Sequence, residues 1–197
     1  MFLSSALILF QAMNPILASA LIPGWGESII GKKNQAKAFF VVEGTLWLSY
    51  AGFTYFGHKG EASSRAFAID HGGANPSRSD ADYFDILESY MTADDYNLEV
   101  ERNASYYYPD DPVRQQQYIE ENGFFGADAW SWDTVSSRTQ YWKSRRSARA
   151  NLQRASFMTG FVLVNRLVSV INVAVLNRQE RFGLESRDNR IGIYFKF

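Results

Sequence analysis

The chain has 197 residues, 21% of them charged, and a formal net charge of −1. That length suffices for one ordinary domain with a real core, and the balanced charge gives no reason to expect nucleic acid. It contains no cysteine, which excludes disulfides, thiolate nucleophiles and thiolate-ligated zinc.

Charge is distributed in blocks. Residues 1–31 carry one charged side chain, Glu27. Residues 57–133 hold sixteen acids against five Lys/Arg, and residues 134–181 hold nine Lys/Arg against Glu180 alone. Blocks of opposite sign must face each other, a membrane surface or a charged partner.

Residues 1–22 are apolar, about long enough to cross ~30 Å of hydrocarbon. Two readings stay open for them. One is a membrane-associated helix interrupted at Asn14-Pro15. The other is a signal peptide with an apolar region over 2–10 and an Ala18-Ser19-Ala20 cleavage pattern. Pro23-Gly24-Trp25-Gly26-Glu27 then reverses the chain. Proline lacks the amide hydrogen, the glycines permit positive φ, and Trp25 suits an interfacial anchor. Lys32, Lys33 and Lys37 follow, then an apolar helix over 38–56 with a lone acid, Glu43.

The character changes at Gly57. Residues 71–76 (HGGANP) read as a loop. Ser79 or Asp80 caps a helix over 83–100 with Phe84, Leu87, Tyr90 and Met91 on one face. Asp82, Asp85 and Glu88 read as its solvated face and lack the pattern of a calcium loop. Tyr106 to Pro112 is a turn, Pro112 opens a short helix, and Gly123 ends it. Asp133 or Thr134 starts a long helix whose first half is basic and whose second half, from Ala155, is apolar.

That apolar half contains Asn165, Arg166, Ser169 and Asn172. Asn165, Ser169 and Asn172 fall at i, i+4 and i+7 and form one polar stripe. Glu43 and Arg166 are each the lone ionised side chain of an apolar helix, so they are expected to pair as a buried clamp with Asn165, Ser169 and Asn172. Lys143, Arg145, Arg146 and Arg149 are expected to contact either anionic headgroups or the acidic middle segment. The last residues, IGIYFKF, alternate enough for a terminal strand or tail. Catalytic patterns are missing: His58 and His71 lie outside metal-binding contexts, and the glycine-rich stretches match neither a nucleophile elbow nor a phosphate loop. Tyr106–Tyr108, Trp130 and Trp132 read as packing or interface.

LIPGWGE (residues 21–27), the apolar helix over 37–53, YWKSRRSAR (141–149), VNRLVSVIN (164–172) and IYFKF together resemble an uncharacterised bacterial cell-envelope family. Its pattern opens on Leu-Pro-Gly-x-Gly-Gln and ends in an apolar helix with an Asn-Arg element. Here Glu27 replaces the glutamine, and Asn172 stands where an acid is common. The resemblance implies a helical membrane or envelope protein and supplies no activity.

These readings define a mainly α, small helical membrane protein with two to three apolar helices, an acidic helical middle and a short C-terminal strand. The segments run 1–56, 57–133, 134–182 and 183–197, folded as one domain. The expected role is structural or assembly, without enzymatic activity, cofactor or metal. The expected partners are the lipid bilayer and other proteins or further copies of the chain. The bacterial membrane or envelope is the expected location, with the acidic segment periplasmic. A transport or channel accessory with a polar path through Glu43, Asn165, Arg166 and Asn172 is the alternative, and a soluble lipid-binding helical module a third reading. The positive-inside rule is in conflict with itself, because it places Lys32, Lys33 and Lys37 in the cytoplasm and leaves the basic helix outside.

Overall fold

The computed structural model describes residues 13–187 and 190–195, with side chains described up to residue 178. The apolar region expected over 2–10 lies outside the described residues. The described chain is mainly helical and divides into two compact units, where one folded domain was expected. Unit 1 comprises Met1–Phe53 and Arg154–Phe197, and unit 2 comprises Thr54–Gln153. The division falls inside two long helices, α3 (Lys33–Gly72) and α7 (Val135–Arg181).

In unit 1, Asn14 caps α1 (Pro15–Leu21) by accepting from the Ile16 amide, with Pro15 at the first helical position. The chain reverses at Pro23-Gly24, where Gly24 has φ +94°, and re-enters a helix at once as α2 (Trp25–Ile29). The reversal is therefore shorter than the expected Pro-Gly-Trp-Gly turn, and Trp25, Gly26 and Glu27 are helical. Gly26 has no positive φ. Its missing side chain serves close packing instead, since a Cβ there would meet the Pro15 carbonyl oxygen at 2.1 Å and the Ser19 hydroxyl at 2.4 Å. The apolar helix expected over 38–56 is the first half of the 40-residue α3. At the C-terminus, Phe182–Arg187 runs antiparallel to Arg190–Phe195.

Unit 2 is built on an aromatic core of Tyr83, Phe84, Leu87, Trp130, Trp132 and Tyr141, closed by Ala68, Ala74 and Ala93. The single helix expected over 83–100 is two helices, α4 (Ala81–Ser89) and α5 (Ala93–Tyr107). Asp80 caps the first, and a Thr92/Asp95 capping box starts the second. The break between them is bonded to the segment before α7: Trp132 N donates to Met91 O and Ala93 N donates to Trp130 O, both at 2.9 Å. Ser131 N and Asp133 N in turn donate to the Gly72 and His71 carbonyls at the end of α3. Asp111 and Pro112 open α6 (Pro112–Asn122), and Gly123 closes it.

The end of α4 shows why α7 docks there. Beyond the C-cap bond, the carbonyls of its last turn lack helical partners. Ile86 O accepts from Tyr90 N, Leu87 O from Trp132 Nε1 at 3.0 Å, and Glu88 O and Ser89 O both from Arg138 Nη1 at 2.9 Å. Tyr141, fully buried, donates to Phe84 O at 2.8 Å.

The two kinds of glycine in unit 1 are separable by experiment. Gly26→Ala is expected to abolish cooperative thermal unfolding, because a backbone carbonyl cannot yield to the new methyl. Gly44→Ala, with nothing within 4 Å of its Cβ, should leave the melting temperature unchanged or raise it, consistent with a helix-propensity gain of about 1 kcal/mol.

Candidate functional site

Unit 1 buries polar groups and exposes apolar ones. Glu27, Ser19 and Ser169 have no solvent exposure, whereas Leu48 is 77%, Leu163 63% and Ile171 62% exposed. Phe40, Val41, Trp47, Phe157, Phe161, Leu167 and Val175 are exposed with them. In water each such side chain forfeits ~1.5–3 kcal/mol of burial, and a polar group placed inside must find partners.

The polar interior has two centres. In the first, the Glu27 carboxylate accepts from Ser19 Oγ at 2.9 Å, from Ser169 Oγ at 2.9 Å and from Asn172 Nδ2 at 3.0 Å. The two hydroxyls also accept from backbone: Gly26 N donates to Ser19 Oγ and Gly24 N to Ser169 Oγ, each at 3.1 Å. Asn172 Nδ2 lies 3.1 Å from Gln35 Oε1, which joins α3 to the same node. Three neutral donors thus hold one carboxylate that links α1, α2 and α7. The second centre is Glu43, which accepts from Trp47 Nε1 at 3.0 Å, Asn165 Nδ2 at 3.0 Å and Arg166 Nη2 at 3.4 Å.

The expected clamp of Glu43, Asn165, Arg166, Ser169 and Asn172 is therefore divided. Asn165 and Arg166 meet Glu43, while Ser169 and Asn172, one to two turns further along α7, meet Glu27. A helical step of four residues advances about 6 Å, enough to pass from one carboxylate to the next. Sequence reasoning placed Glu27 in the turn and missed Ser19, Gln35 and Trp47. Trp47 stands at i+4 from Glu43, a spacing at which side chains on a helix meet. Pro23 and Gly24 are buried in the turn, and Trp25 is half-buried.

Unit 2 carries a second constellation. Arg145, 7% exposed at its side chain, donates from Nε to Glu88 Oε1 at 2.6 Å and from Nη2 to Asp85. Arg149 forks onto Glu88, Nη1 to Oε1 at 2.6 Å and Nη2 to Oε2 at 2.8 Å. Of the expected solvated face, Asp82 and Asp85 are exposed and Glu88 is largely buried, and both Asp85 and Glu88 are partners of the basic stretch. Burial works against the Arg145 charge, but Tyr141, Glu88 and Asp85 more than offset it and its pKa is raised. Burial likewise pushes the Tyr141 phenol well up. Of the four expected headgroup contacts, Lys143 and Arg146 remain exposed, with the Arg146 guanidinium 5.2 Å from the Trp142 ring centroid.

Trp130 and Trp132 belong to the core, while Tyr106 and Tyr107 are exposed. A hydrogen bond to Glu99 pushes the pKa of the Tyr90 hydroxyl up to about 12. Among the described residues, no three His, Asp or Glu side chains gather as a metal site.

Among the described residues one helix is long and apolar enough to cross a membrane, over Val135–Arg178, and only 22% of its most apolar stretch is buried within the chain. Length and composition thus make membrane association compatible with the fold. Comparison with known proteins finds no match: no family model, no curated protein and no solved structure aligns significantly with the chain.

Two contrasts test the charged groups. Arg145→Met, which removes the buried guanidinium and leaves Arg149 as the one cation on Glu88, is expected to destabilise unit 2 by about 2 kcal/mol. Arg149→Met, at a half-exposed position, should cost under ~1 kcal/mol; chemical denaturation followed by aromatic fluorescence compares them. In unit 1, Glu43→Leu should lower the yield of folded protein more than Arg166→Leu, because Glu43 alone serves three donors. Exchanging the two charges should restore little, since the indole Nε1–H of Trp47 can only donate.

Proposed function

We propose that the protein is a membrane-anchored, non-enzymatic helical protein with a structural or assembly role. In this reading unit 1 lies in lipid, its two or three apolar helices forming the anchor, and unit 2 is a folded polar head that contacts other proteins. The observation that carries it is the inversion of unit 1, with Glu27 and Glu43 bonded inside and Phe40 to Leu48 and Phe157 to Val175 presenting apolar side chains outside. The exposed apolar positions of α7 within unit 1, Phe157 to Val175, extend over about 27 Å at 1.5 Å per residue, close to the ~30 Å hydrocarbon thickness of a bilayer. A buried reversal such as Pro23-Gly24 is tolerated at membrane depth when protein covers it, which Ser169 does through its bond to the Gly24 amide.

The resemblance noted above supports a bacterial envelope location. Lys32, Lys33 and Lys37 support a cytoplasmic start of α3, with unit 2 on the periplasmic side. The internal pairing of Arg145 and Arg149 with Asp85 and Glu88 removes most of the conflict, since those charges form part of the folded head. The stripe of polar groups on α7 favours a second reading, a transport or channel accessory with a path through Glu43, Asn165, Arg166 and Asn172.

The decisive measurement is detergent dependence. The purified chain should require detergent or a nanodisc to remain monodisperse and should aggregate on its removal. A chain that stays monodisperse in plain buffer sinks the membrane reading and leaves the soluble lipid-binding module. Ion or solute flux into liposomes that Glu43→Gln abolishes without unfolding would favour transport.

A further inference from the structure

We infer that the α5–α6 hairpin of unit 2 is a docking surface for a cationic segment of a partner protein, one bearing arginine or lysine beside apolar side chains. This deepens the assembly reading by naming the chemistry of the partner. Over residues 93–122 the hairpin carries eight carboxylates against two arginines, Arg102 and Arg114. Set among those carboxylates are tyrosines that no core demands. Tyr106 is 80% and Tyr107 59% exposed, and Val113 is exposed beside them in sequence at the start of α6. Exposed aromatic and aliphatic groups rimmed by charge mark interaction sites more often than isolated surface residues do.

The tyrosines form a connected series. Tyr106 and Tyr107 lie edge to face at 5.4 Å, and Tyr107 and Tyr108 meet Tyr118 of α6 at 5.8 and 6.2 Å. The Arg114 guanidinium already sits 5.9 Å from the Tyr108 ring centroid, which shows in this chain the contact an incoming arginine would make with Tyr106 or Tyr107. Glu101, Asp110 and Glu121, each exposed and within five residues of a member of the series along the chain, supply the opposite charge.

The surface is also held in place before any partner arrives. Asn97 bonds the Phe124 backbone in both directions at 2.9 and 3.0 Å, and Gln115 Nε2 donates to Tyr108 O at 2.7 Å. Such preorganisation lowers the ordering cost of binding. The same negative field repels an anionic bilayer and nucleic acid, so a cationic protein segment is the occupant the charge favours.

The test uses the full chain in detergent and a fluorescent peptide of alternating arginine and leucine, read by anisotropy, with a glutamate–leucine peptide as the control. The arginine peptide should bind and the glutamate peptide should not. Tyr106→Ser combined with Tyr107→Ser keeps every charge and touches no core residue, and it should weaken binding about tenfold without changing the melting temperature. Unchanged affinity in that double variant overturns the proposal, because attraction would then be charge alone. Equal binding of the glutamate peptide, or displacement of the arginine peptide by a neutral oligosaccharide, overturns it as well. The detergent requirement is scored separately. A chain soluble in plain buffer would defeat the anchor reading and leave this binding intact, whereas lost binding would leave the anchor standing.

Discussion

A carboxylate with no exposure to solvent organises unit 1. Glu27 is reached by Ser19 from α1 and by Ser169 and Asn172 from α7, and Asn172 extends the network to Gln35 on α3. A buried carboxylate is tolerable only when its lone pairs are filled, so these four segments are bound to one another's positions. The constraint passes to the backbone. Ser169 and Ser19 also accept the amides of Gly24 and Gly26, and both glycines stand where a side chain would collide with a neighbour. The short α1 and α2, too small to be stable alone, persist because this node holds them.

Unit 2 solves the opposite problem. It has an aromatic core inside, with Tyr106, Tyr107 and Val113 among the apolar side chains left exposed, and its charged residues are outside or paired. There the organising groups are the unsatisfied carbonyls at the end of α4, which Trp132 and Arg138 complete. Arg145 and Arg149 then neutralise the acidic side of the same helix. One unit buries carboxylates and exposes apolar side chains, the other buries an aromatic core, and two continuous helices carry residues of both.

Much of the local structure was legible, and the reason is chemical. Asp80, Asp111 with Pro112, Gly123 and Thr134 act at helix ends through their own side chains or dihedral limits, so a few neighbouring residues suffice to read them. The break at Tyr90–Thr92 was missed although Thr92 and Asp95 have the spacing of a capping box. Apolar positions continued across it at helical intervals, and the force that opens the break comes from residues 130–132. The pairing of Asp85 and Glu88 and the burial of Glu88 went unread for a similar reason, since acids at helical spacing are what a wet face contains, and their arginines lie some sixty residues away.

By itself, the sequence determined that lone charges within apolar helices need partners, that helices start and stop at particular caps, and that acidic and basic blocks must meet something of opposite sign. These follow from local geometry and from the cost of an unpaired charge. Which charge meets which partner was decided by tertiary structure. The stripe on α7 divided between two carboxylates, Glu27 proved to be a centre instead of a turn residue, and Gly26 proved to be small for contact with α1. Each outcome depends on the distance between segments far apart in the chain, which hydrogen-bonding capacity alone does not specify.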